Sequence, residues 1–524
     1  MSTDTARTND SLVQSETSGL QVAALGVVGV SVLVFALNWV VQFELVGLTD
    51  GVAGVSVFHL FAIATLLVGL GVLSFGALSR AGVTDTHPSE NAGSVAAVLF
   101  GGIWFVVGGL VASQTLGLGT VGWVVGALVA GAAAFAVTVG LREDLGSTIP
   151  SGGLALFTAG AYLSGAITPA WTWSPTGFQA SFLGVVVVPL LSAFVCLVAG
   201  WSASKAREGF GIRGRQRGAY FLIWLVVGTT LAILVVLVLY IVGRGYESLF
   251  NGASLLPFSI PFLMHSGGLT VDVKGILPAI VGTVWLVLGA VTFAVPLGVG
   301  AAVFLTEYAE QGGFTRVVET ATNGLWSTPS IVFGLFGYAF LIPRFGNSKS
   351  LLAGMLVLGF MLLPLVLITS REALKSVPDE YRDASAALGV SQWQTIRAVV
   401  LPAAMPGVIT GVILGVGRIA GETAPILLVS AGGVLPSRAP NILSGFQFTA
   451  TPPFVTNPAL LEPTSALPYQ LFALITAGLG PSLGVDDPEG FAWGVALVLL
   501  LVVMLFYAVG IASRTYFRRK LHNE

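Results

Sequence analysis

Apolar residues run through this chain in stretches of about 20, the length a helix needs to cross the hydrocarbon core of a bilayer. Twelve such stretches are readable. The first six fall at about 21–43, 54–79, 95–115, 121–140, 151–170 and 180–201. The last six fall at about 219–243, 279–303, 327–343, 352–369, 405–430 and 490–513. Three connections stand out. Residues 202–217 form a basic segment between the two halves. Residues 371–402 form an insert between two spans. Residues 431–489 are rich in Pro, Ser and Thr and include one apolar piece, Ala466–Leu479, expected to lie on the surface or re-enter.

Lys and Arg set the orientation, because loops rich in them stay in the cytoplasm. With the N-terminus inside, the cytoplasmic connections hold Arg80, Arg142, the cluster Lys205, Arg207, Arg213, Arg215 and Arg217, then Arg316, Arg371, Lys375, Arg382 and Arg397. The tail adds Arg514, Arg518, Arg519 and Lys520. Outer loops hold Arg244, Lys274, Arg344, Lys349 and Arg438. Both termini and the 371–402 insert are therefore expected in the cytoplasm of a multi-pass plasma-membrane protein.

The insert reads as two short helices and a sharp turn. Pro378 suits a first helical turn, where its missing N–H costs nothing. Gly389 tolerates the left-handed conformation that ends a helix. Ser391 with Gln394 three residues on forms a capping box, and Pro402 is expected to end the pair. Tyr381, Ala384, Ala387 and Leu388 share one shallow face, with Glu380 and Asp383 beside them. That face suits another protein's groove better than lipid. A plain helical cytoplasmic loop accounts for the pattern at least as well.

Composition agrees with a membrane protein: 55% hydrophobic and 9% charged residues, with a mean hydropathy of +0.90. Such a chain is too apolar for a soluble domain. The 67 glycines fit close helix packing in lipid, and Gly122-x-x-x-Gly126 is one spacing that would allow it. The net charge of −2 gives no sign of nucleic-acid binding. Cys196 is alone, so no intrachain disulfide forms. The polar start, residues 1–19, lacks the basic opening of a secretory signal, and no cleavage is expected.

Charges inside the spans separate the halves. The first six read as free of Asp, Glu, Lys and Arg, which argues against substrate chemistry in residues 1–201, since intramembrane charges usually mark function. His59, near the start of the second span, reads as a hydrogen-bonded neutral imidazole. The eleventh span carries Arg418 and Glu422, four residues apart and so on one helix face. An arginine in an otherwise uncharged path attracts an anion; a structural ion pair is the alternative. Pro425 is expected to loosen the helix one turn on. No Gly-Lys dipeptide occurs, so there is no P-loop. The histidines lack metal-ligand spacing.

Asp383-Ala384-Ser385, Gly389 and Val399-x-Leu401-Pro402 resemble the EAA loop of ABC-importer permeases, which docks on the ATPase subunit. Aspartate, serine and valine stand where that loop has glutamate, alanine and isoleucine. Glu307-Tyr308-Ala309, Pro329-Ser-Ile-Val-Phe-Gly334-Leu-Phe-Gly337, Gly421-Glu422-Thr423-Ala424-Pro425 and Leu467-Pro468-Tyr-Gln470 extend the likeness over roughly 215–520 to the phosphate-importer permeases of the PstA type. The PstC type shares several of these motifs. The resemblance implies an all-α type I permease core of six helices, here at 218–524 with its coupling loop at 371–402. About six extra helices, at 20–201, form an accessory domain. It implies a PstC-like sister permease, two PstB-like ATPase subunits and a PstS-like phosphate-binding protein, with ATP and Mg on the ATPase and no cofactor in this chain. Glu380, Tyr381, Asp383, Ala384, Ala387, Gly389 and Pro402 would serve coupling, and Arg418, Glu422 and Thr423 the translocation path. The chain would be a transporter subunit, not an enzyme. Import of molybdate or sulfate, a stand-alone secondary transporter, and a sensor with the insert as a regulatory dock are the other readings.

Overall fold

The computed structural model describes residues 19–523 apart from 53, 176–178, 256–257, 268–274, 311, 432–437, 453 and 477–486. The polar start, Lys274 and the end of the 466–479 piece lie outside them. The chain divides into two units, Met1–Ile233 and Leu234–Glu524. Almost every regular element is a helix; the strands among the described residues are two-residue ladders such as Gly51–Val52 with Val55–Ser56.

The first unit holds α1 (Gly19–Gln42), α2 (Val57–Arg80), α3 (Ser94–Leu110), α4 (Thr120–Gly140), α5 (Glu143–Leu163), α6 (Gly184–Arg207) and the start of α7 (Gly211–Phe250). α1 packs along α6, α2 along α5 and α3 along α4. Phe61 and Val72 of α2, Leu154 and Tyr162 of α5, and Val188 and Val195 of α6 meet in one core. The α3–α4 contact depends on small residues: a Cβ on Gly108 would come 2.8 Å from the carbonyl oxygen of Gly126. Of the Gly122-x-x-x-Gly126 pair, only Gly126 makes this approach; Gly122 faces its own Leu118.

α5 corrects the reading of a charge-free span at 151–170. It starts eight residues earlier, and its first turn buries Glu143 and Asp144 completely. Hydroxyls on its buried face bond back to their own helix: Ser147 to the Glu143 carbonyl, Ser151 to the Ser147 carbonyl. Back-bonding of this kind hides polar groups without a water shell. The polar first turns obscured the helix start, because a hydropathy window counts residues and not their partners. Residues 202–217 form the end of α6, a short turn and the start of α7. The turn is tight: Gly209, Phe210 and Gly211 all have positive φ (73°, 62° and 67°). Phe210 holds that conformation by burying its ring, which is 2% exposed.

The second unit contains the rest of α7, then α8 (Pro261–Met264), α9 (Leu277–Val303), α10 (Gly313–Ser327), α11 (Ser330–Phe336), α12 (Leu351–Lys375), α13 (Asp379–Ala387), α14 (Gln392–Thr395), α15 (Leu401–Ala420), α16 (Ala424–Val429), α17 (Pro458–Leu461), α18 (Leu467–Thr476) and α19 (Pro488–Asn523). α12 is the central helix and packs on α9, α15 and α16. Leu286, Ala290, Leu358, Leu362, Val366 and Ile419 fill the space between them. α12 and α9 run unbroken through Pro364 and Pro296. α18 is ten residues long, too short to span. It docks instead of lying on the surface: the Leu467 N–H donates to Thr283 Oγ1 at 2.9 Å, and Leu474 joins the core against α19.

Ten helices among the described residues are long and apolar enough to cross a membrane, and a bent pair makes eleven. That pair replaces the straight span expected at 327–343. α10 stops at Ser327, and α11 leaves at 102° to it. The cause is Thr328-Pro329: the residue before a proline is driven out of the helical region, and Thr328 is extended at φ −69°, ψ 131°.

Candidate coupling and translocation sites

The 379–402 insert folds as a knuckle. α13 begins at Asp379, with Pro378 one step outside the helix, at the cap position and not in the first turn. Gly389 adopts φ +69° and turns the chain. The Gln394 side chain accepts from the Ser391 N–H at 3.1 Å, completing the capping box. Tyr381 and Leu388 are exposed, with Ala384 and Ala387 between them. Glu380 and Asp383 also face outward. Trp393 projects beside them, 57% exposed. A tryptophan in a polar insert is itself a signal in the sequence of a docking residue.

The second helix does not end at Pro402. It continues from Gln392 through a π turn at Ile396–Val400 and on to Ala420, 29 residues in all. A π turn shifts the bonding register, and the Leu401 N–H donates to the Ile396 carbonyl. Pro402, which has no N–H to offer, then sits in the first turn of α15 without breaking it. At 1.5 Å per residue this is a rod of about 40 Å. The knuckle and Arg418 lie near its opposite ends.

Glu307 fastens the knuckle to the end of α9. Its side chain is 8% exposed and receives Arg382 Nη2 at 2.8 Å. Arg382 also donates to the Val377 and Leu374 carbonyls, at 2.9 and 3.1 Å. The bond from Glu307 holds the Arg382 guanidinium above its already high ordinary pKa, so the clamp stays charged. The Gln392 amide donates to the Glu307 carbonyl at 2.6 Å. One residue thus grips both helices of the knuckle. Counting Arg382 only as a positive-inside charge hid this. Nearby, Arg371 of α12 pairs with Glu319 of α10 beside a cavity of about 140 Å3.

Arg418 and Glu422 are brought together, but not on one continuous helix. α15 ends at Ala420, and Gly421, Glu422 and Thr423 form a break before α16. Pro425 therefore starts a new helix and does not loosen an old one. Arg418 Nε stands 3.9 Å from Glu422 Oε1, an ion pair too long for a hydrogen bond. Its guanidinium lies over the Trp326 ring of α10, 4.4 Å from the centroid, a cation–π contact. The site is thus a cation whose N–H donors make no hydrogen bond among the described residues, at a helix break, backed by an aromatic ring and faced by a carboxylate. Among the described residues no group of three His, Cys, Asp or Glu could hold a metal.

In the first unit, Asp144 pairs with Arg142, and Glu143 accepts Arg215 Nε at 3.0 Å. His59 Nδ1 lies 2.6 Å from Ser56 Oγ, consistent with a bonded imidazole.

A helical membrane core that carries an EAA-type knuckle is the architecture of an importer permease. Residues 294–523 match the family described as binding-protein-dependent transport system inner membrane component. The "Probable ABC transporter permease protein YqgI" of Bacillus subtilis (strain 168) is 34% identical over 268 residues, covering 51% of this chain and 86% of that protein. The "Phosphate transport system permease protein PstA" of Yersinia pestis is 30% identical over 307 residues, covering 58% and 86%. The PstA 1 protein of Mycobacterium tuberculosis (strain CDC 1551 / Oshkosh) is 40% identical over 252 residues, covering 46% and 73%. The chain belongs to the family of binding-protein-dependent transport system inner membrane components and is a PstA-like permease.

Proposed function

We propose that this chain is a permease subunit of an ATP-driven phosphate importer and forms the translocation path with a PstC-like sister permease. One observation carries the mechanism: a single helical rod, Gln392–Ala420, has the knuckle at one end and Arg418 near the other. Two PstB-like ATPase subunits supply the stroke, one of them through this knuckle, and ATP and Mg bind there. Tyr381, Ala384 and Ala387 form the docking face. The alanines permit close approach, and Trp393 adds an aromatic anchor of the type that dominates interfaces. Glu380 and Asp383 offer carboxylates to cations on the ATPase. Gly389 makes the turn, and Pro402 sits where the knuckle becomes membrane helix. The Glu307–Arg382 clamp makes the unit rigid enough to transmit a push.

Arg418 binds the phosphate anion in passing. Its N–H donors are not saturated by Glu422 at 3.9 Å, so they remain available to oxyanion oxygens. Glu422 competes with the anion for Arg418 and so weakens retention. Thr423 adds a hydroxyl at the same break. A PstS-like binding protein delivers phosphate on the opposite face. The basic loops and tail support a cytoplasmic location for both termini and the knuckle. Phosphate is favoured over molybdate or sulfate because the PstA relatives match over most of their length.

The test is reconstitution of both permeases with the ATPase and binding protein in proteoliposomes. Phosphate-stimulated ATP hydrolysis that is lost on deleting 379–402 is expected. Stimulation by molybdate or sulfate and not by phosphate would reassign the substrate. Uptake without any ATPase would make the chain a secondary transporter.

A further inference from the structure

The first unit contains a cleft of about 430 Å3 where α1, α6 and α7 meet, within the size range of ligand sites. Its polar end is formed by Ser204, Arg207, Arg217 and Tyr220. Its apolar wall is Val28, Phe221 and Trp224. Arg207 has no ion-pair partner among the described residues, and Arg217 has only Glu208, at 3.8 Å. Segment 205–217 carries Lys205, Arg207, Arg213, Arg215 and Arg217 against the single acid Glu208.

These cations are held, not trailing. Glu143 accepts the Gly211 N–H at 3.0 Å, the Ser89 N–H at 3.1 Å and Arg215 Nε at 3.0 Å. Lys205 is buried over the Trp201 ring, 3.8 Å from its centroid. Ser204 Oγ donates to the Arg217 carbonyl at 3.3 Å, tying the two walls. The backbone of the turn that carries Arg207 and Arg217 is therefore fixed, which sets where their side chains start from.

The apolar wall runs into an exposed apolar surface. Trp224 is 74% exposed, and Ile223 and Val226 beside it are 55% and 62% exposed on a spanning helix. A free phosphate has no use for this wall; a phosphate carrying acyl chains does. Basic pockets between spanning helices at the cytoplasmic side are suited to anionic headgroups.

We propose that this cleft binds one anionic glycerophospholipid: Arg207 and Arg217 hold its phosphate, and Val28, Phe221 and Trp224 hold the upper part of an acyl chain. The site lies wholly in the first unit and does not depend on which anion the second unit transports. A bound lipid would cement α1, α6 and α7 and make the unit sensitive to membrane composition.

Native mass spectrometry of the full chain, delipidated and titrated with dioleoylphosphatidylglycerol or dioleoylphosphatidylcholine, tests this. One phosphatidylglycerol per chain should be retained about thirtyfold more strongly than phosphatidylcholine, as two basic side chains near a membrane surface predict. R207Q/R217Q should abolish that preference. Val28→Trp, which fills the wall and leaves the charges, should also weaken retention. Millimolar inorganic phosphate should not displace the lipid. Equal retention of both lipids, or full retention by a folded R207Q/R217Q or V28W chain, overturns the proposal. Displacement by inorganic phosphate makes the cleft a free-anion site and equally overturns it.

Discussion

Arg382 on the knuckle donates two hydrogen bonds to the Glu307 carboxylate, 75 residues earlier in the chain, at 2.8 and 3.3 Å. The contact joins α13 to the end of α9, while Gln392 ties α14 to the same residue. A knuckle held at one point can move as a body; one held by nothing would bend under load.

Replacing Glu307 with Ala removes this anchor and leaves a mostly buried guanidinium short of partners. Hydrogen bonds to charged groups are worth about 1.5–3 kcal/mol, about 10–100-fold in a local opening equilibrium. Amide hydrogen exchange should accelerate by that factor in 379–395 and stay unchanged in α12. Copurification of the ATPase should fall in parallel. Glu307→Gln keeps one side-chain acceptor for Arg382 and should fall between; the Gln392 bond to the backbone carbonyl survives in both variants. Unchanged exchange in Glu307→Ala would show that packing alone holds the knuckle.

Gly389 has φ +69° and no atom within 4 Å of where a Cβ would stand. Gly389→Ala is therefore a test of backbone conformation without steric clash. The left-handed region costs a non-glycine residue about 1–2 kcal/mol, and Asn tolerates it better than Ala. The expected order of ATPase copurification is Gly, then Asn, then Ala, with no change in the yield of folded permease. Equal binding by all three would mean that the turn tolerates distortion or that the knuckle does not dock.

Much of this site was legible beforehand, and the omissions share a cause. Gly389 and the Ser391–Gln394 box are local: each depends on residues within one turn, so spacing alone finds them. The Glu307–Arg382 clamp is a contact across 75 residues, and nothing near either residue points to the other. Pro402 misled because proline normally breaks a helix; the π turn before it absorbs the lost bond. Arg418 and Glu422 stood at helical spacing, but Gly421 breaks the helix between them, and Trp326 comes from another element. The start of α5 was missed because its polar residues find partners inside the protein.

Arg418→Ala should end phosphate transport while the complex still assembles. Arg418→Lys keeps the charge but loses the planar stack on Trp326 and the forked donors that suit an oxyanion. It should retain partial uptake with weakened apparent affinity. Trp326→Ala should cost about 0.5–2 kcal/mol of cation–π support, seen as a several-fold drop in uptake. Radiolabelled phosphate uptake in proteoliposomes, with copurification as the assembly control, separates these. Normal uptake by Arg418→Ala would make the pair structural.

Glu143 gives the most severe prediction for the first unit. Its carboxylate is fully buried and satisfies Arg215 and the N–H groups of Ser89 and Gly211. Glu143→Ala leaves all three donors short of a partner at once. Breaking a buried pair from one side costs about 3–5 kcal/mol; the Arg215 side chain is 43% exposed, so water recovers part of its share. The Gly211 N–H has no such recourse, because its position is buried, while Ser89 is half-buried. Glu143→Gln keeps an acceptor for one of them and should do less harm, while Arg215→Ala leaves the buried carboxylate without its ion-pair partner, bonded only by the Ser89 and Gly211 N–H groups, and should approach Glu143→Ala. Thermal unfolding of the full chain in detergent should rank the four in the order wild type, Glu143→Gln, Arg215→Ala, Glu143→Ala. Because the knuckle belongs to the other unit, ATPase copurification at low temperature should survive in all three variants. Its loss there would show that the first unit is needed to assemble the second.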